Sequence, residues 1–308
     1  MISICIPVYN FDVTNLVTEL HSQGVTAAIP FEILVMDDAS DCCKEKNRLL
    51  QSLPFVQYFE LETNLGRSRI RNQMALKARY DYLLYIDCDA EVVSPNYIKN
   101  YLNYCYKEVV CYGGISYAPT CPAPEYYLRW TIGVKRESIN AYRRSRKPNR
   151  NFSTFNFLMD RDFFLKVSFN EQLVGYGHED TLFSFDLFKH NVIVRHIENP
   201  LRHIGLEGGA VTLIKCREGI RNARTIVRLL NNDPLFIKSM PLLVWGRRIG
   251  KFHLHPLMAF CYRNFHKFME VNLLHKYAWM PLFSFWKLSY YCFLEQESLT
   301  EGAEKKLL

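Results

Sequence analysis

The chain has 308 residues, of which 49% are hydrophobic, 14% aromatic and 22% charged. This composition supplies enough apolar surface for a sizeable core, and it excludes a wholly disordered chain or a collagen-like fibre. Lys and Arg together exceed Asp and Glu by 7, and a surplus this moderate does not indicate nucleic acid as a partner.

The sequence predicts neither a membrane span nor a cysteine-based site. The strongest apolar run, 277–285, contains Pro281 and is far shorter than the roughly 18 residues of a spanning helix. Residues 1–10 lack the basic start of a secretory signal. The cysteines are scattered without a CxxC pair, which favours neither zinc nor a disulfide framework, so the reducing cytosol is the expected compartment.

The first half of the chain alternates short apolar runs with amphipathic stretches, as in an α/β layer. Helices between parallel strands serve as crossovers, and ligand chemistry collects beyond the carboxyl ends of those strands. The predicted strands are 2–6, 31–36, 56–61 and 82–86, and the predicted helices are 13–22, 44–52 and 68–79.

The pattern is less regular after Glu91, with strands predicted at 109–116, 155–159 and 191–196 and a helix at 181–189. From Arg129 to Arg150, eight basic residues accompany one acidic residue. Such a segment is either a solvated loop or an anion-attracting lid over phosphates. Beyond Met240 the chain is aromatic and basic, which fits either a packed helical appendage or a helix on an anionic membrane surface.

Polar side chains follow the first two predicted strands. The first strand runs into Pro7 and Tyr9, and the second ends at Asp37 and Asp38. Asp37 is expected to cap the next helix. Asp38 is expected to accept a hydrogen bond from a ligand N–H, while Tyr9 offers a face on which a planar ring can stack.

A basic motif follows the third strand, where Asn64-Leu-Gly precedes arginines at positions 67, 69 and 71. A glycine at a helix start with nearby arginines can direct N–H groups and guanidinium groups at a diphosphate. A surface helix with solvated arginines is the competing interpretation. We expect the motif to lie near a ligand, because its loop should emerge beside the loops that follow the first two strands.

The fourth strand ends in Asp87-Cys-Asp89. Alternation along an extended segment points Asp87 and Asp89 to the same side, where two negative charges repel unless a cation or hydrogen-bond donors separate them. Carboxylate ligands suit Mg²⁺ or Mn²⁺, which complete their shells with phosphates and water. The alternative is a solvated turn.

The most specific segment is Gly175-Tyr-Gly-His-Glu-Asp180. Its glycines permit close approach of the backbone to a ligand, and Glu179 and Asp180 open a helix, where the dipole favours negative charge. Capping alone explains one acid but not the two acids, the aromatic ring and the glycines together. Farther along, His196 and His203 follow a strand, and the carboxylates elsewhere favour one of them as a metal ligand.

As a set, these blocks resemble the family 2 inverting glycosyltransferases of the GT-A fold, of the bacterial polysaccharide or lipopolysaccharide type. The resemblance covers 1 to about 205 and implies a Rossmann-like, mostly parallel central sheet flanked by helices, followed by a helical C-terminal extension. The sequence differs from the commoner pattern at Tyr176, where a tryptophan often stands, and at Ala39, which replaces a glycine. The matching blocks are 4–10, 35–40, 64–72, 87–89 and 175–180.

The resemblance implies a role for each matching residue. The nucleotide base, usually uracil, would be held by Pro7, Tyr9 and Asp38, and the base or diphosphate would lie near Asn64, Arg67 and Arg71. Asp87 would lie near the ribose and a Mn²⁺ or Mg²⁺ ion, and Asp89 and His203, rather than His196, would ligate that ion. Asp180 would be the catalytic base, Glu179 would hold the acceptor or donor sugar, and Tyr176, Gly177 and His178 would contact the acceptor.

The implied organisation is a GT-A catalytic domain at 1–232, with a nucleotide-binding half at about 1–91 and an acceptor half at about 92–232, followed by an extension at 233–308. The implied activity is metal-dependent transfer of a hexosyl or N-acetylhexosaminyl group from a nucleoside-diphosphate sugar, expected to be UDP-linked. The acceptor would be a saccharide or a lipid-linked saccharide. The expected location is the cytoplasm, with peripheral attachment of the extension to the inner face of the cytoplasmic membrane as one alternative.

Two other functions remain open at this point. A sugar nucleotidyltransferase can share a similar sheet, although such enzymes usually carry a Gly-rich basic loop directly after the first strand, where Pro7-Val-Tyr-Asn10 stands. The other is a nucleotide-sugar-binding or membrane-scaffolding protein without activity. Retention of all four acids at 87, 89, 179 and 180 argues against it.

Overall fold

The computed structural model of the chain describes residues 1–173 and 175–304 and contains two β-sheets. The strands of the larger sheet are β1 (Ile2–Val8), β2 (Phe31–Asp37), β3 (Val56–Glu60), β4 (Tyr82–Ile86), β6 (Val110–Tyr112), β8 (Asn156–Asp160) and β9 (Arg195–His196). The smaller sheet consists of β5 (Ala90–Glu91), β7 (Ile115–Ser116) and β10 (Leu201–His203).

The larger sheet has the spatial order β3-β2-β1-β4-β8-β6-β9. Strands β1 to β4 are parallel, β8 runs antiparallel to both β4 and β6, and β9 is parallel to β6. The predicted α/β fold with a mostly parallel central sheet is confirmed. All seven residues of β2 are buried, which explains why a continuous apolar run identifies this strand.

Helices connect the parallel strands, as the sequence predicts. They are α1 (Thr14–Thr26), α2 (Lys44–Arg48), which continues as a 3₁₀ turn at Leu49–Ser52, and α3 (Gly66–Lys77). Because these crossovers return the chain to the same end of the sheet, the carboxyl ends of β1, β2 and β4 share one edge.

The predicted strand at 109–116 is two strands in the structure. Gly113 and Gly114 separate β6 from β7, and Gly114 has a left-handed φ of +103°. A Cβ on Gly113 would lie 2.3 Å from Asn156 Oδ1, so the backbone passes too close for any side chain. After this break, β7 pairs with β10 in the smaller sheet.

The predicted strand at 191–196 is largely wrong, because only Arg195 and His196 are extended in β9. Asn191 adopts φ 61° at the end of the preceding helix, and Val192 N–H donates to Leu187 O at 2.9 Å. Asn191 and Val192 therefore end the helix in a left-handed cap and do not belong to the strand.

The described residues form two compact units. The first unit comprises 1–118, 133–174 and 179–205, and the second unit comprises 119–132, 175–178 and 206–308; residue 174 and residues 305–308 lie outside the described part. The remaining helices of the first unit are α4 (Tyr97–Leu102), α6 (Ala141–Ser145), α7 (Arg161–Val167) and α8 (Glu179–Lys189).

The second unit is helical, as predicted for the C-terminal region. It contains α5 (Tyr127–Ile132), α9 (Gly209–Leu229), α10 (Pro234–Ser239), α11 (Pro241–Lys251), α12 (His255–Leu273) and α13 (Met280–Glu304). Helix α9 packs on α5 and α13 within this unit, and the predicted domain boundary at 232 stays a prediction. No helix in the described part of the chain combines the length and apolar character that a membrane crossing requires.

Candidate functional site

The loops after β1 and β2 are locked together at the shared edge of the sheet. Asp38 N–H donates to Val8 O at 2.8 Å, and Asn10 N–H donates to Ser40 Oγ at 2.8 Å. Tyr9, on the first of these loops, leaves 51% of its surface exposed. An exposed aromatic ring on a fixed loop can stack on a planar ligand, as predicted for Tyr9.

Asp38 holds the start of α3. Its Oδ1 accepts from Leu65 N–H at 2.6 Å and its Oδ2 from Gly66 N–H at 2.9 Å, while Asn64 Nδ2 donates to Asp38 O at 2.9 Å. Burial raises the pKa of Asp38, and the two N–H bonds oppose that rise. Each carboxylate oxygen keeps a second lone pair, so the predicted contact with a ligand N–H remains compatible with this capping role.

Asp37 is fully buried and caps no helix. Its Oδ1 accepts from Ser40 N–H at 2.7 Å, and the Tyr58 hydroxyl donates to its Oδ2 at 3.3 Å. The sequence-based expectation of a helix cap is therefore corrected, because the carboxylate stabilises the loop after β2 instead.

Arg71 connects the two acidic motifs. Only 3% of its side chain is exposed, and Nη2 donates to Asp87 Oδ1 at 2.7 Å. Its Nη1 donates to Arg67 O at 3.2 Å and lies 4.0 Å from Glu179 Oε1. Burial and these carboxylates fix its guanidinium, and the predicted place of Arg71 near a base or diphosphate stays a prediction.

Glu179 and Asp180 have opposite electrostatic environments. Burial raises the pKa of Glu179, but the charges of Arg67 and Arg71 outweigh it, and the net shift is downward. Arg67 Nη1 donates directly to Glu179 Oε1 at 3.3 Å. Glu179 is thus held ionised at the start of α8, where the helix dipole also favours negative charge.

At Asp180, burial and then the negative charge of Glu179 raise the pKa to about 7. Thr181 opposes that rise, since its N–H and Oγ1 donate to Asp180 Oδ1 at 2.6 and 3.2 Å. A carboxyl group that titrates near neutral pH is well matched to accepting a proton in catalysis.

The smaller sheet brings Asp89 and His203 together. Antiparallel pairing of β5 with β10 sets His203 opposite Ala90, and His203 Nε2 lies 3.2 Å from Asp89 Oδ2. A Cβ on Gly205 would lie 2.6 Å from both Cβ and Oδ2 of Asp89, so glycine makes room for the carboxylate. Within the described ranges, no group of three or more His, Cys, Asp or Glu side chains could hold a metal ion.

His196 has a structural role. Its Nε2–H donates to Pro148 O at 2.9 Å and its Nδ1 accepts from Arg144 Nε at 3.2 Å, so both ring nitrogens are used. Burial lowers the pKa of His196 to about 4, which keeps the ring neutral. Of the two histidines considered from sequence, only His203 lies beside a carboxylate of the Asp87-Cys-Asp89 motif.

Arg144 belongs to the basic segment considered as a lid, yet it is buried. Nη2 donates to Gly113 O at 3.0 Å and Ile197 O at 2.7 Å. Its Nη1 donates to Ile139 O, so the guanidinium joins three backbone segments and His196. For Arg144 the phosphate-binding interpretation is therefore corrected.

Tyr176, Gly177 and His178 belong to the second unit and lie on α9. Asn222 Nδ2 donates to the carbonyl oxygens of Tyr176 and Gly177 at 3.1 and 3.2 Å, and Lys215 Nζ lies 4.8 Å from the centre of the Tyr176 ring. Gly177 and His178 have left-handed φ of 95° and 71°. The structure thus gives these positions a packing role, and their predicted contact with an acceptor stays a prediction.

Sequence reasoning missed three residues around His203. The ring of His203 stacks on Tyr117 with centroids 5.3 Å apart and contacts Phe155 at 5.5 Å, and Gly205 lies against Asp89. A glycine two positions after the histidine was a visible signal. Tyr117 and Phe155 had none, because β7 and β8 bring them to the site.

A mostly parallel sheet with these acidic side chains at its carboxyl edge defines a GT-A glycosyltransferase. The family model described as glycosyl transferase family 2 matches residues 3–170, and the chain belongs to that family. Membership of this family makes the chain a glycosyltransferase. No curated protein sequence matches the chain.

Solved structures share the fold at low sequence identity. The crystal structure of S. aureus TarS has a TM-score of 0.52 at 17% identity, covering 80% of this chain and 43% of TarS, so this chain spans less than half of that protein. TarS 1–349 in complex with UDP has a TM-score of 0.50 at 16% identity, covering 98% and 91% of the two chains. Mannosyltransferase PcManGT from Pyrobaculum calidifontis, in complex with GDP-Man and Mn²⁺, has a TM-score of 0.53 at 12% identity, covering 94% and 84%.

Proposed function

We propose that the protein is a metal-dependent inverting glycosyltransferase that moves a sugar from a UDP-sugar to a hydroxyl of a saccharide or lipid-linked saccharide. Family membership and the UDP complex of a structural relative support the choice of donor. The observation that carries the proposal is the environment of Asp180, whose pKa is raised to about 7 beside an ionised Glu179.

Asp180 acts as the general base in this proposal. It accepts the proton of the acceptor hydroxyl as that oxygen attacks the anomeric carbon, on the face opposite the departing diphosphate, so the configuration inverts. Glu179, ionised beside Arg67 and Arg71, is suited to accept hydrogen bonds from sugar hydroxyls. Arg71 fixes Asp87 relative to Glu179, and both acidic motifs are thereby held in one arrangement.

Asp89 and His203 fit a divalent cation. A carboxylate oxygen and an imidazole nitrogen that converge to 3.2 Å form a donor pair suited to Mn²⁺, while Mg²⁺ prefers the carboxylate. When bound, such an ion neutralises charge on the leaving nucleoside diphosphate. Two side-chain ligands leave positions for phosphate oxygens and water, as is common for these ions.

The decisive experiment is Asp180→Asn, with Asp186→Asn on the same helix as the matched control. We expect Asp180→Asn to bind UDP with Mn²⁺ as wild type does in calorimetry. Transfer, followed as UDP release from a panel of UDP-sugars, should fall by about 10²- to 10⁴-fold. Asp186→Asn should stay within a few-fold of wild type, and normal turnover in Asp180→Asn would remove Asp180 from its role.

A further inference from the structure

Helix α12 carries apolar side chains on two opposite faces. One face packs against α13 and buries Ala259, Tyr262, Met269 and Leu273. The spacing of these residues places them along one side of the helix, which is the usual core-facing side of an amphipathic helix.

The other face of α12 is apolar and exposed. Leu257, Phe260, Phe268 and Val271 follow helical spacing along one side, and their exposed fractions are 56%, 57%, 77% and 71%. Phe265 lies at the edge of this face, with 51% exposed. Exposed Asn264 lies between the pair Leu257 and Phe260 and the pair Phe268 and Val271, so the face carries two apolar clusters. Exposed clusters of large apolar side chains on one helix face mark a surface for interaction. We call Leu257, Phe260, Phe268 and Val271 the α12 face.

The exposed charges of the segment that contains α12 are basic, and two of them, Arg263 and Lys267, lie on α12 beside the α12 face. Glu270 is the only acid between 241 and 294, and it pairs with Arg217 and accepts from Trp286 Nε1 at 3.0 Å. In the described part of the chain, no carboxylate forms an ion pair with the exposed basic residues of this region. These residues are Arg247, Arg248, Lys251, Arg263, Lys267 and Lys276.

We propose that the α12 face, together with the exposed basic residues of segment 247–276, binds the surface of a bilayer that contains anionic phospholipid. An anionic bilayer complements this surface in charge and polarity. The apolar side chains can insert between the headgroups and the acyl chains, while Lys and Arg bind lipid phosphates. A second copy of the chain docked on this face would bring Arg263 and Lys267 near the same two cations of the first copy. The predicted membrane contact of residues 233–308 is thereby assigned to one helix face.

The test is flotation of the full chain with vesicles. We expect binding to phosphatidylcholine vesicles with about 30% phosphatidylglycerol, and at least about tenfold weaker binding to phosphatidylcholine alone. Binding should weaken as NaCl is raised, because salt screens the attraction between exposed charges.

Variants locate the contact. Phe260→Ser, Phe268→Ser and Val271→Ser combined should weaken partitioning at least about tenfold, since three apolar side chains no longer enter the bilayer. The matched control combines Leu49→Ser, Leu76→Ser and Ile193→Ser, three similarly exposed apolar residues of the first unit, and should bind as wild type does. Circular dichroism checks that both triple variants are folded.

Two results would overturn the proposal. One is equal flotation of wild type and the α12 triple variant. The other is self-association of wild type without lipid, measured by sedimentation velocity and abolished by the same variant, which would assign the α12 face to a second copy of the chain. Donor hydrolysis, measured in parallel, reports separately on the proposed catalytic function.

Discussion

At Asp180, neighbouring groups shift the pKa of the carboxyl group in opposite directions. Burial and Glu179 raise its pKa to about 7, whereas the hydrogen bonds from Thr181 lower it. Arg67 and Arg71 keep Glu179 ionised, and so maintain the negative charge that Asp180 experiences. The two adjacent acids therefore have different protonation behaviour, as a base and a permanently ionised partner require.

The pH dependence of turnover follows from this arrangement. Asp180 accepts a proton only when ionised, and its raised pKa means that the ionised form dominates above pH 7 and is lost below it. We expect kcat/KM to fall about tenfold per pH unit below about pH 7, with the slope of a single protonation. A steady-state profile of UDP release checks this, and a flat rate between pH 5 and about pH 7 would contradict it.

Thr181→Val tests the hydrogen bond that opposes the rise in the pKa of Asp180. The variant removes the Oγ1 hydrogen bond that stabilises ionised Asp180, so the acidic limb of the profile should move to higher pH. The exposed Thr225→Val on α9 removes a comparable hydroxyl and should leave the limb in place. An unchanged limb in Thr181→Val, or one shifted to lower pH, would show that the hydroxyl does not stabilise the ionised carboxylate.

At the scale of elements, short strands place the candidate metal ligands. Strand β5 has two residues and β10 has three, yet their pairing sets His203 against Asp89. Ile204 N–H donates to Asp89 O at 2.9 Å and extends this contact by one residue. The site therefore depends on close approach of two backbones, which Gly205 permits.

Gly205→Ala should disturb this approach. Its Cβ would overlap Asp89, and overpacking of this kind costs about 1–3 kcal/mol. If Asp89 moves away from His203, Mn²⁺-dependent binding of UDP should weaken about tenfold. Calorimetry checks this, with Gly208→Ala as control because a Cβ at Gly208 meets nothing within 4 Å. Equal affinity in both variants and wild type would mean that the Asp89–His203 contact does not govern metal binding.

The same elements show what sequence can and cannot predict. Strands β1 to β4 were predictable because central strands covered on both sides are continuous apolar runs. The short length of strand β9 was not predictable, because Asn191, at the start of an apolar segment, ends helix α8 instead of beginning the strand. The acids of the site lay in recognisable blocks, but the place of Arg71 between Asp87 and Glu179 depends on tertiary packing that local spacing does not encode.

At the scale of the whole molecule, the two proposals use different units. Asp89, Asp180 and His203 belong to the first unit, whereas the α12 face belongs to the second. The activity of the catalytic residues and the binding of lipid are therefore separable by mutation. The α12 triple variant should hydrolyse donor in solution as wild type does, and Asp180→Asn should still float with anionic vesicles.

Thermal unfolding of the whole chain reports the coupling of metal and nucleotide. If Asp89 and His203 hold one side of a cation and the diphosphate holds the other, UDP with Mn²⁺ should raise Tm by more than the sum of the separate shifts. At about 100-fold excess over Kd, a ligand that binds only the folded state stabilises it by about 2.7 kcal/mol. EDTA should abolish the joint effect, and Asp89→Asn should reduce it to the shift that UDP gives alone. Strictly additive shifts in wild type would show that nucleotide and metal do not share a coordination shell, and the proposed roles of Asp89 and His203 would then be wrong.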